Sequence, residues 1–487
     1  MAPTTNPYLE GDFAPVREEK TLTGLRVEGT LPDFLDGRYL RIGPNPIAAD
    51  PENYHWFMGT GMVHGLRIGD GKVGWYRNRY VRSAEVARSL GESPRTSGSV
   101  HAGFDFSPNT HVIGHAGRTF ALVEAGPRPY ELTFELDTVG PCDFDGTLPG
   151  GYTAHPLRDP DTSELHAVSY FFGWGNKVQY SVLGTDGHIR KTVDVEVTGA
   201  PMMHAFSLTE RYVIIYDLPV TFDAHKASSS TPALVRKPTE IAMSRNVGRR
   251  RVPDKLVSMM MATGSGQERS TLPYSWNASY PARVGVMSRE GGGDYIRWFD
   301  VEPCYVYHPL NAYDDGDRVI LDVTRHPRMF ATEHRGPNEG APTLDRWTVD
   351  LSAGKVIEER LDDRGQEFPR IDERLVGKRH RYGYAVEFSG AAGEAQASHG
   401  VLKHDLCSGS SQHRSFGSDH ECDEFLFVPS SDAAGEDDGV LVGFVYDRNT
   451  DRSDLTVLDA GTLETVAAVH LPVRVPHGFH GSWVSAA

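Results

Sequence analysis

The stretch YSVLGTDGHIRKTVDVE, residues 180–196, predicts the kind of structure from which the whole chain is built. Two runs of alternating apolar and polar residues flank a turn that contains Asp186 and Gly187. An Asp-Gly pair between such runs is a strong signal for a β-hairpin, because both central residues of the tight turn need positive φ angles. The stretch RWTVDLSAGKVIEERL, residues 346–361, repeats the pattern around Ser352–Gly354.

Short apolar runs bounded by Gly, Asp, Pro or Asn recur along the chain, and no helical pattern of comparable strength accompanies them. These predicted strands are Arg118–Glu124, Glu131–Leu136, Leu165–Phe172, Lys177–Leu183, Tyr212–Asp217, Arg318–Val323, Gly439–Tyr446 and Leu455–Asp459. So many short hairpins over 487 residues predict an all-β protein. A β-propeller fits this pattern, and two stacked sandwiches fit it less well. No repeat signature fixes the number of blades.

One segment, residues 220–276, departs from this pattern because it is long, mixed in composition and weakly strand-like. The cationic run Arg249–Arg251 is followed by the apolar residues Leu256 and Met259–Met261. Long insertions of this kind are usually functional or mobile. Two interpretations stay open: a lid or membrane-surface element, which would give peripheral membrane contact, and a solvated loop with a short packed helix.

Composition excludes several classes of protein. The chain carries 49 Lys and Arg against 66 Asp and Glu, a net charge of −17, which disfavours nucleic acid as a partner. Its four cysteines form no close C-x-x-C pair, so we expect neither a zinc knot nor a disulfide framework. The sequence offers no signal peptide and no long apolar span, and we therefore expect a cytoplasmic protein.

Four of the 21 histidines stand beside apolar, strand-forming residues. They are His155, His204, His308 and His480. Imidazole is a common ligand of iron, copper and zinc, but separations of 49, 104 and 172 residues match no short ligand motif. A propeller would bring distant inner strands to one axis, where these side chains could meet. The alternative for each is a structural or surface histidine.

Several motifs, in order along the chain, resemble the carotenoid cleavage oxygenases. They are GRYLRIGPNP (37–46), HWFMGTGMVHGLRI (55–68), ALVEAGPRPYEL (121–132), EFPRID (367–372), VPHGFHGSW (475–483) and the four histidine segments. The resemblance runs from about residue 15 to residue 485. It implies a seven-bladed β-propeller with loops and short helices capping the active-site face. Residues 1–487 would form a single domain that contains the insertion at about 220–276.

The resemblance also implies a metal centre with one Fe(2+) per chain. Its ligands would be His155, His204, His308 and His480, where the GFHG context selects His480 over its neighbour His477. Three glutamates would hold imidazole rings from behind: Glu124, Glu367 and Glu424. Buried carboxylates of this kind offset the charge that four neutral ligands leave on the ion. Around Glu424 the chain departs from the family, with Phe425 and Ser430 where proline and a basic residue are frequent.

By the same resemblance, the reaction would cleave a conjugated C=C bond of an apolar polyene with O2 and give two carbonyl products. The protein would supply the metal site and an apolar tunnel, and no obligate protein partner is implied. Aromatic residues near the motifs are candidates for the tunnel wall, with ordinary core packing as the alternative for each. They are Phe104, Phe106, Phe171, Phe172, Phe206 and Tyr305.

The substrate prediction depends on the residue before Glu124. Stilbene-cleaving members of the family carry a lysine there that binds a phenol oxygen, whereas this chain has Val123. A carotenoid or apocarotenoid is therefore the favoured substrate, and a lignostilbene-type activity is the alternative. An isomerohydrolase and a non-catalytic propeller used for binding are the remaining hypotheses. Thr60, which stands where the family usually has aspartate, is left without an interpretation.

Overall fold

The computed structural model describes residues 6–94, 98–229, 231–262, 272–389 and 397–486. Within these ranges the chain forms seven antiparallel sheets of four or more strands and one two-stranded ribbon. The seven sheets are arranged as the blades of a propeller, so the predicted all-β, seven-bladed fold is confirmed. We number the blades 1 to 7 in the order in which the chain builds them.

Blades 2 to 6 each consist of four strands that follow one another along the chain. Blade 2 comprises His111–His115, Arg118–Leu122, Tyr130–Leu132 and Thr138–Pro141; blade 3 comprises Leu157–Arg158, Leu165–Tyr170, Lys177–Leu183 and Ile189–Glu196. Blade 4 comprises Ser207–Leu208, Tyr212–Asp217, Arg283–Ser288 and Arg297–Asp300. Blade 5 comprises Tyr305–Asp315, Arg318–His326, Thr343–Asp350 and Lys355–Asp362; blade 6 comprises Gln366–Arg370, Tyr382–Ser389, Ala397–Asp405 and Ser410–Ser415. The first strands of blades 4, 5 and 6 contact one another in turn, as inner strands around an axis must.

Blades 1 and 7 are completed by strands from both ends of the chain. Blade 7 comprises His420–Cys422, Leu426–Pro429, Gly439–Asp447, Arg452–Asp459 and Thr465–His470, and its outer edge is the N-terminal strand Arg26–Gly29. Blade 1 comprises Thr21–Leu22, Lys72–Tyr80, Gly61–Gly69 and Gly37–Pro44, and its inner edge is the C-terminal strand Gly481–Ser485. That last strand contacts the inner strands of blades 2 and 7. The ring therefore closes only when the C-terminus is in place.

Local sequence explains some of the strand boundaries. The hairpin Lys177–Leu183 to Ile189–Glu196 turns at Gly187, whose φ of 82° needs glycine. The predicted strand Glu131–Leu136 is wrong in its second half, because the strand ends at Leu132. Thr133 then forms a turn in which its backbone and hydroxyl bond Asp137, with Leu136 at a φ of 69°.

Helices are few in the described residues. They are Ala84–Ser89, Ala224–Ser228, Ala233–Asn246 and Asp254–Ala262, with short 3-10 turns at Pro7–Leu9, Gly11–Phe13, Trp56–Met58, Phe172–Trp174, Gly293–Tyr295 and Glu373–Leu375. Three of the helices lie between the ribbon strands Val220–Phe222 and Tyr274–Trp276. The weakly strand-like segment is thus a helical insertion between two strands of blade 4. None of the described helices is long and apolar enough to cross a membrane.

Candidate metal centre

The four candidate histidines lie at the inner strands of four different blades. His155 and His204 come just before the first strands of blades 3 and 4, and His308 lies within the first strand of blade 5. His480 stands immediately before the inner strand of blade 1, at the other end of the sequence. Inner strands converge on the propeller axis, so residues hundreds of positions apart reach the same place.

The four rings meet closely enough to share one ion. One nitrogen from each lies within 4.8 Å of the others. The Nε2 atoms of His204 and His308 are 3.1 Å apart, and the ring centroids of His155 and His480 are 4.5 Å apart. Burial, together with the neighbouring imidazoles, lowers the pKa of His155 and of His480 well below the usual value. These rings are therefore neutral, which is the form that binds a metal.

Three carboxylates form hydrogen bonds with three of the rings, each on the side of the ring that faces away from the centre. Glu124 Oε1 lies 2.9 Å from Nδ1 of His204, Glu367 Oε2 lies 2.5 Å from Nδ1 of His308, and Glu424 Oε1 lies 2.9 Å from Nδ1 of His480. Each carboxylate accepts the Nδ1–H, so Nε2 keeps a free lone pair directed at the centre. The glutamates come from blades 2, 6 and 7. Each of the seven blades thus contributes one residue to this arrangement.

Glu367 is fixed by more than His308. Its Oε1 also accepts hydrogen bonds from His326 Nε2 at 2.7 Å and from Thr324 Oγ1 at 3.0 Å. Burial alone would raise the pKa of Glu367, but the bonds from the two histidines hold that pKa well below its usual range. The next residue, Phe368, has a φ of 52° and places its ring 5.5 Å from that of His308.

Glu424 lies in a second network, with Arg370. The guanidinium Nε donates to Glu424 Oε1 at 2.8 Å, and Nη2 donates to the carbonyl of Gly481 at 3.1 Å. The carboxylate of Glu424 holds the pKa of Arg370 above its usual value despite the burial that opposes it. Although Phe425 and Ser430 break the family pattern here, Glu424 occupies the same position relative to His480 as the other glutamates do to their histidines.

His155 differs from the other three histidines. In the described part of the chain its Nε2 is buried and has no hydrogen-bond partner. Its backbone N–H is held by Thr153 Oγ1 at 3.1 Å. A buried nitrogen without a partner costs free energy that a bound metal ion would recover. The residues present therefore fit a metal ion.

Several residues near the centre were not predicted from the sequence, although one of them, Arg370, lies within the motif EFPRID. His111 is buried between the carbonyls of Ala154 at 3.0 Å and Gly481 at 3.1 Å, with its ring 5.5 Å from that of His480. Both of its nitrogens face carbonyl oxygens and not the centre of the four rings. His111 therefore packs beside the candidate ligands and is not one of them. His326 and Arg370 act through Glu367 and Glu424. Sequence patterns missed them because their partners lie on other strands.

The six candidate tunnel residues fall into three places. Phe104, Phe171 and Phe172 form an aromatic cluster, with Phe171 and Phe172 centroids 4.7 Å apart. Phe206 and Tyr305 belong to the largest core cluster, where the Tyr305 hydroxyl donates to the carbonyl of Met202 at 3.0 Å. Phe106, in the third place, is half-buried.

The aromatic rings that contact the histidines include two that are not among these six candidates. Tyr307 lies 5.0 Å from His204 and Phe368 lies 5.1 Å from His480. Phe57, whose ring is 5.9 Å from Tyr307, extends this wall.

Thr60 and His477, which the sequence left open, have definite positions. The Thr60 hydroxyl donates to the carbonyl of Asn45 at 2.8 Å, and its own carbonyl accepts from the Asn45 N–H at 2.7 Å. Thr60 therefore ties together the two ends of the connection between strands Gly37–Pro44 and Gly61–Gly69 of blade 1. His477 lies between Asp12 and Asp423, away from the four-ring cluster.

The fold and the histidine cluster together define a seven-bladed propeller with a candidate four-histidine metal centre at its axis. The chain belongs to the family described as retinal pigment epithelial membrane protein, which matches residues 13–485. The resemblance to carotenoid cleavage oxygenases is likewise confirmed by a relative from Mycobacterium tuberculosis named carotenoid cleavage oxygenase. That relative is 54% identical, with 99% of this chain and 98% of its own length covered.

Two solved structures share the fold over nearly their full length. The lignostilbene dioxygenase of Pseudomonas brassicacearum is 26% identical, has a TM-score of 0.82 and covers 100% of both chains. The cobalt-substituted ACO of Synechocystis is 24% identical, has a TM-score of 0.79 and covers 97% of each chain.

Proposed function

We propose that the protein is a non-haem Fe(II) dioxygenase that cleaves a conjugated C=C bond of a carotenoid or apocarotenoid into two carbonyl products. The observation that carries this proposal is the set of four imidazoles within 4.8 Å of one another, three of them hydrogen-bonded to carboxylates. The name of the relative from Mycobacterium tuberculosis, carotenoid cleavage oxygenase, supports the same reaction. Because the histidines span residues 155 to 480, the whole chain would act as one domain.

The charge of the site supports a divalent ion. The carboxylates of the three glutamates carry −3 and the guanidinium bonded to one of them, that of Arg370, carries +1, so these four groups sum to −2 and would balance a divalent ion. His155, His204, His308 and His480 would hold the ion as neutral nitrogen donors. The iron supplies redox chemistry with O2 that no protein side chain can provide.

The chain's own residues have positioning tasks in this reaction. Glu124, Glu367 and Glu424 fix the tautomer and the orientation of three rings. Tyr307 and Phe368 pack against the imidazoles and exclude water from the centre. An apolar, aromatic surrounding also favours a polyene over a charged substrate.

A lignostilbene-type reaction is the second candidate, favoured by the name and fold of the Pseudomonas brassicacearum structure. Against it stands Val123, which is 7% exposed and offers no charged group for a phenol oxygen. Stilbene-cleaving members resemble this chain but have lysine at that position. We therefore place the carotenoid reaction first.

The two candidates are separated by assaying the iron-loaded protein with an apocarotenal and with resveratrol in parallel. Products are identified by chromatography, under air and under argon. Cleavage of the apocarotenal that requires air supports the proposal. Preferential cleavage of resveratrol would replace it with the stilbene reaction, and isomerisation under argon would indicate an isomerohydrolase. Absence of bound iron and of any turnover in iron-supplied protein would favour a non-catalytic propeller.

We further propose that the helical insertion contacts the membrane in which apolar polyenes dissolve. Leu234 is 92% exposed and Met259 is 67% exposed, on the helices Ala233–Asn246 and Asp254–Ala262. The exposed arginines Arg249–Arg251 lie between these helices and suit anionic headgroups. The test is sedimentation with phosphatidylglycerol vesicles. Leu234→Glu should reduce binding, and the matched change Ile357→Glu, at an exposed apolar site on blade 5, should not.

A further inference from the structure

Two consecutive acidic residues hold two histidines of one loop. Glu424 Oε1 accepts from Nδ1 of His480 at 2.9 Å, and Asp423 Oδ1 lies 3.0 Å from Nδ1 of His477. The loop at residues 476–480 leads directly into the inner strand of blade 1. The position of His480 therefore depends on how this loop is anchored at both histidines.

His477 has a second anchor in the N-terminal segment. Its Nδ1 lies 3.1 Å from Asp12 Oδ2, and its backbone N–H donates to the carbonyl of Asp12 at 2.8 Å. Phe13 packs on the ring with centroids 4.7 Å apart. His477 is 2% exposed, so these contacts are sealed from solvent. The turn Gly11–Phe13 is thereby bound to the loop that supplies the last histidine of the centre.

Both carboxylates face the same nitrogen of His477, Nδ1, whereas its Nε2 is buried and has no hydrogen-bond partner among the described residues. The charges around His477 nevertheless favour an imidazolium ring. Asp423 also pairs with Arg41, which is 1% exposed and buried on strand Gly37–Pro44. Glu421, the other acid near Asp12, pairs with Arg448 at 2.8 Å. Burial alone would lower the pKa of His477, but Asp423 and Asp12 raise it to about 10. A buried charge held by two carboxylates is costly to remove, because its partners would be left unpaired.

The rest of the loop fits tightly against blade 1. The Phe479 N–H donates to the carbonyl of Ile42 at 2.9 Å, and the Ile42 N–H donates to the carbonyl of His480 at 3.2 Å. Arg41 Nε reaches the carbonyl of Phe479 at 3.4 Å. A Cβ added to Gly43 would lie 2.4 Å from Cα of Gly478, so the two backbones are in contact. A shift at His477 must therefore move His480 as well.

We propose that His477 is a positioning residue: clamped between Asp12 and Asp423, it fixes the loop at residues 476–480 and so holds His480 in the ligand set. The N-terminal turn Gly11–Phe13 then helps to position a candidate metal ligand, although it lies at the opposite end of the sequence. This inference rests on the proposed metal site, but it does not depend on the substrate or on the reaction.

The test uses the full chain loaded with Co(II), since cobalt occupies the related Synechocystis structure. The variants are His477→Gln and Asp12→Asn, each of which removes one charge of the clamp. The control is His470→Gln, which removes a histidine that bonds Asp454 at 3.0 Å on the outer strands of blade 7. The readouts are the rate of cobalt release to a chelator and the visible absorption spectrum of bound cobalt, which reports coordination geometry.

Both clamp variants should release cobalt at least about tenfold faster than the wild type and shift its absorption bands, while His470→Gln should do neither. A lower melting temperature with an unchanged release rate and spectrum would overturn the proposal, because it would reduce His477 to a stabilising contact. If His477→Gln does not fold, Asp12→Asn decides by the same two readouts. A wild type that binds no cobalt would instead contradict the proposed metal site. A wild type that binds cobalt but cleaves no polyene leaves this test valid.

Discussion

Glu424 and His480 are joined twice, because the carboxylate bonds both the ring and the backbone that follows it. Oε1 lies 2.9 Å from the ring Nδ1, and Oε2 accepts the N–H of Gly481, also at 2.9 Å. Gly481 begins the inner strand of blade 1, whereas Glu424 belongs to blade 7. The same carboxylate therefore orients a candidate metal ligand and links blade 7 to blade 1, where the ring of blades closes.

Replacing Glu424 with glutamine should weaken metal binding by about 10- to 100-fold. The amide has one accepting oxygen where the carboxylate has two, so either His480 or Gly481 loses its bond. Metal content after dialysis, measured by atomic emission, gives the answer. Glu387→Gln is a matched control, because Glu387 also bonds a histidine, His413, at 2.9 Å but at the surface of blade 6. Equal metal retention by both variants would contradict a role for Glu424 in holding the ion.

The pH dependence of stability should carry the signature of His477. Its pKa is raised to about 10 by Asp423 and Asp12, with Arg41 and Glu421 bonded to or near those acids. A raised pKa stabilises the fold fully below the unfolded value of about 6.5, and this stability is lost as pH rises towards 10. The expected loss is about 1 kcal/mol per pH unit in that window.

Urea unfolding at pH 6, 8 and 10 measures this loss. The His477→Gln variant should be less stable than the wild type at pH 6, and the difference should shrink towards pH 10. A constant difference across the three pH values would show that His477 does not carry the charge assigned to it.

The buried hydroxyl of Tyr307 should slightly destabilise the folded protein. Within the described residues it is buried without a hydrogen-bond partner, beside the ring of His204. Removing an unsatisfied buried hydroxyl recovers about 1 kcal/mol of desolvation cost. Tyr307→Phe should therefore raise the melting temperature by about 2 °C. A lower melting temperature would mean that the hydroxyl is satisfied by water or a ligand in solution.

Tyr305→Phe is the comparison for that change. Its hydroxyl donates to the Met202 carbonyl at 3.0 Å, so its removal leaves a buried carbonyl without that donor. We expect it to lower the melting temperature in the same calorimetric scan.

Gly43→Ala should damage both the fold and the metal centre. The new Cβ would lie 2.4 Å from Cα of Gly478, and backbone atoms cannot move aside as a flexible side chain can. Overpacking of this kind costs about 1–3 kcal/mol, measured as a fall in the urea midpoint. Gly74→Ala, in the same blade, is the control, because its nearest neighbour would be the side chain of Arg67 at 3.5 Å. Equal stability of the two variants would show that the Gly43–Gly478 contact is not tight in solution.

Much of the β structure follows from local pattern. The hairpins around Gly187 and Gly354 form where the sequence predicts them, because turn glycines and alternating apolar residues act over a few positions. A short packed helix within residues 220–276 was only one of two interpretations of the sequence, which did not place the helix Ala233–Asn246. It buries only Met243 among its described residues and contains Pro238, so it has neither a clear apolar face nor an uninterrupted helical composition.

The candidate site is predictable where a motif marks it and unpredictable where a contact crosses blades. His155 and Glu367 stand in recognisable motifs, whereas His326 and Asp12 do not. Arg370 lies in the motif EFPRID, but the motif does not show that it bonds Glu424. Each of these three reaches the centre through another residue: His326 through Glu367, Arg370 through Glu424 and Asp12 through His477. The two residues of each pair lie far apart in the chain, and their separation follows no pattern that can be recognised in a single sequence.

The sequence by itself predicted the hairpins, the family and the seven residues of the candidate centre, because each prediction depends on short stretches of neighbouring residues. Only the tertiary structure decided that one residue from every blade meets at the axis. It also decided that His477 bonds Asp12 and Asp423 instead of joining the four rings. The physical reason is ring closure: the C-terminal strand Gly481–Ser485 becomes the inner edge of blade 1, which brings both chain ends to one buried place.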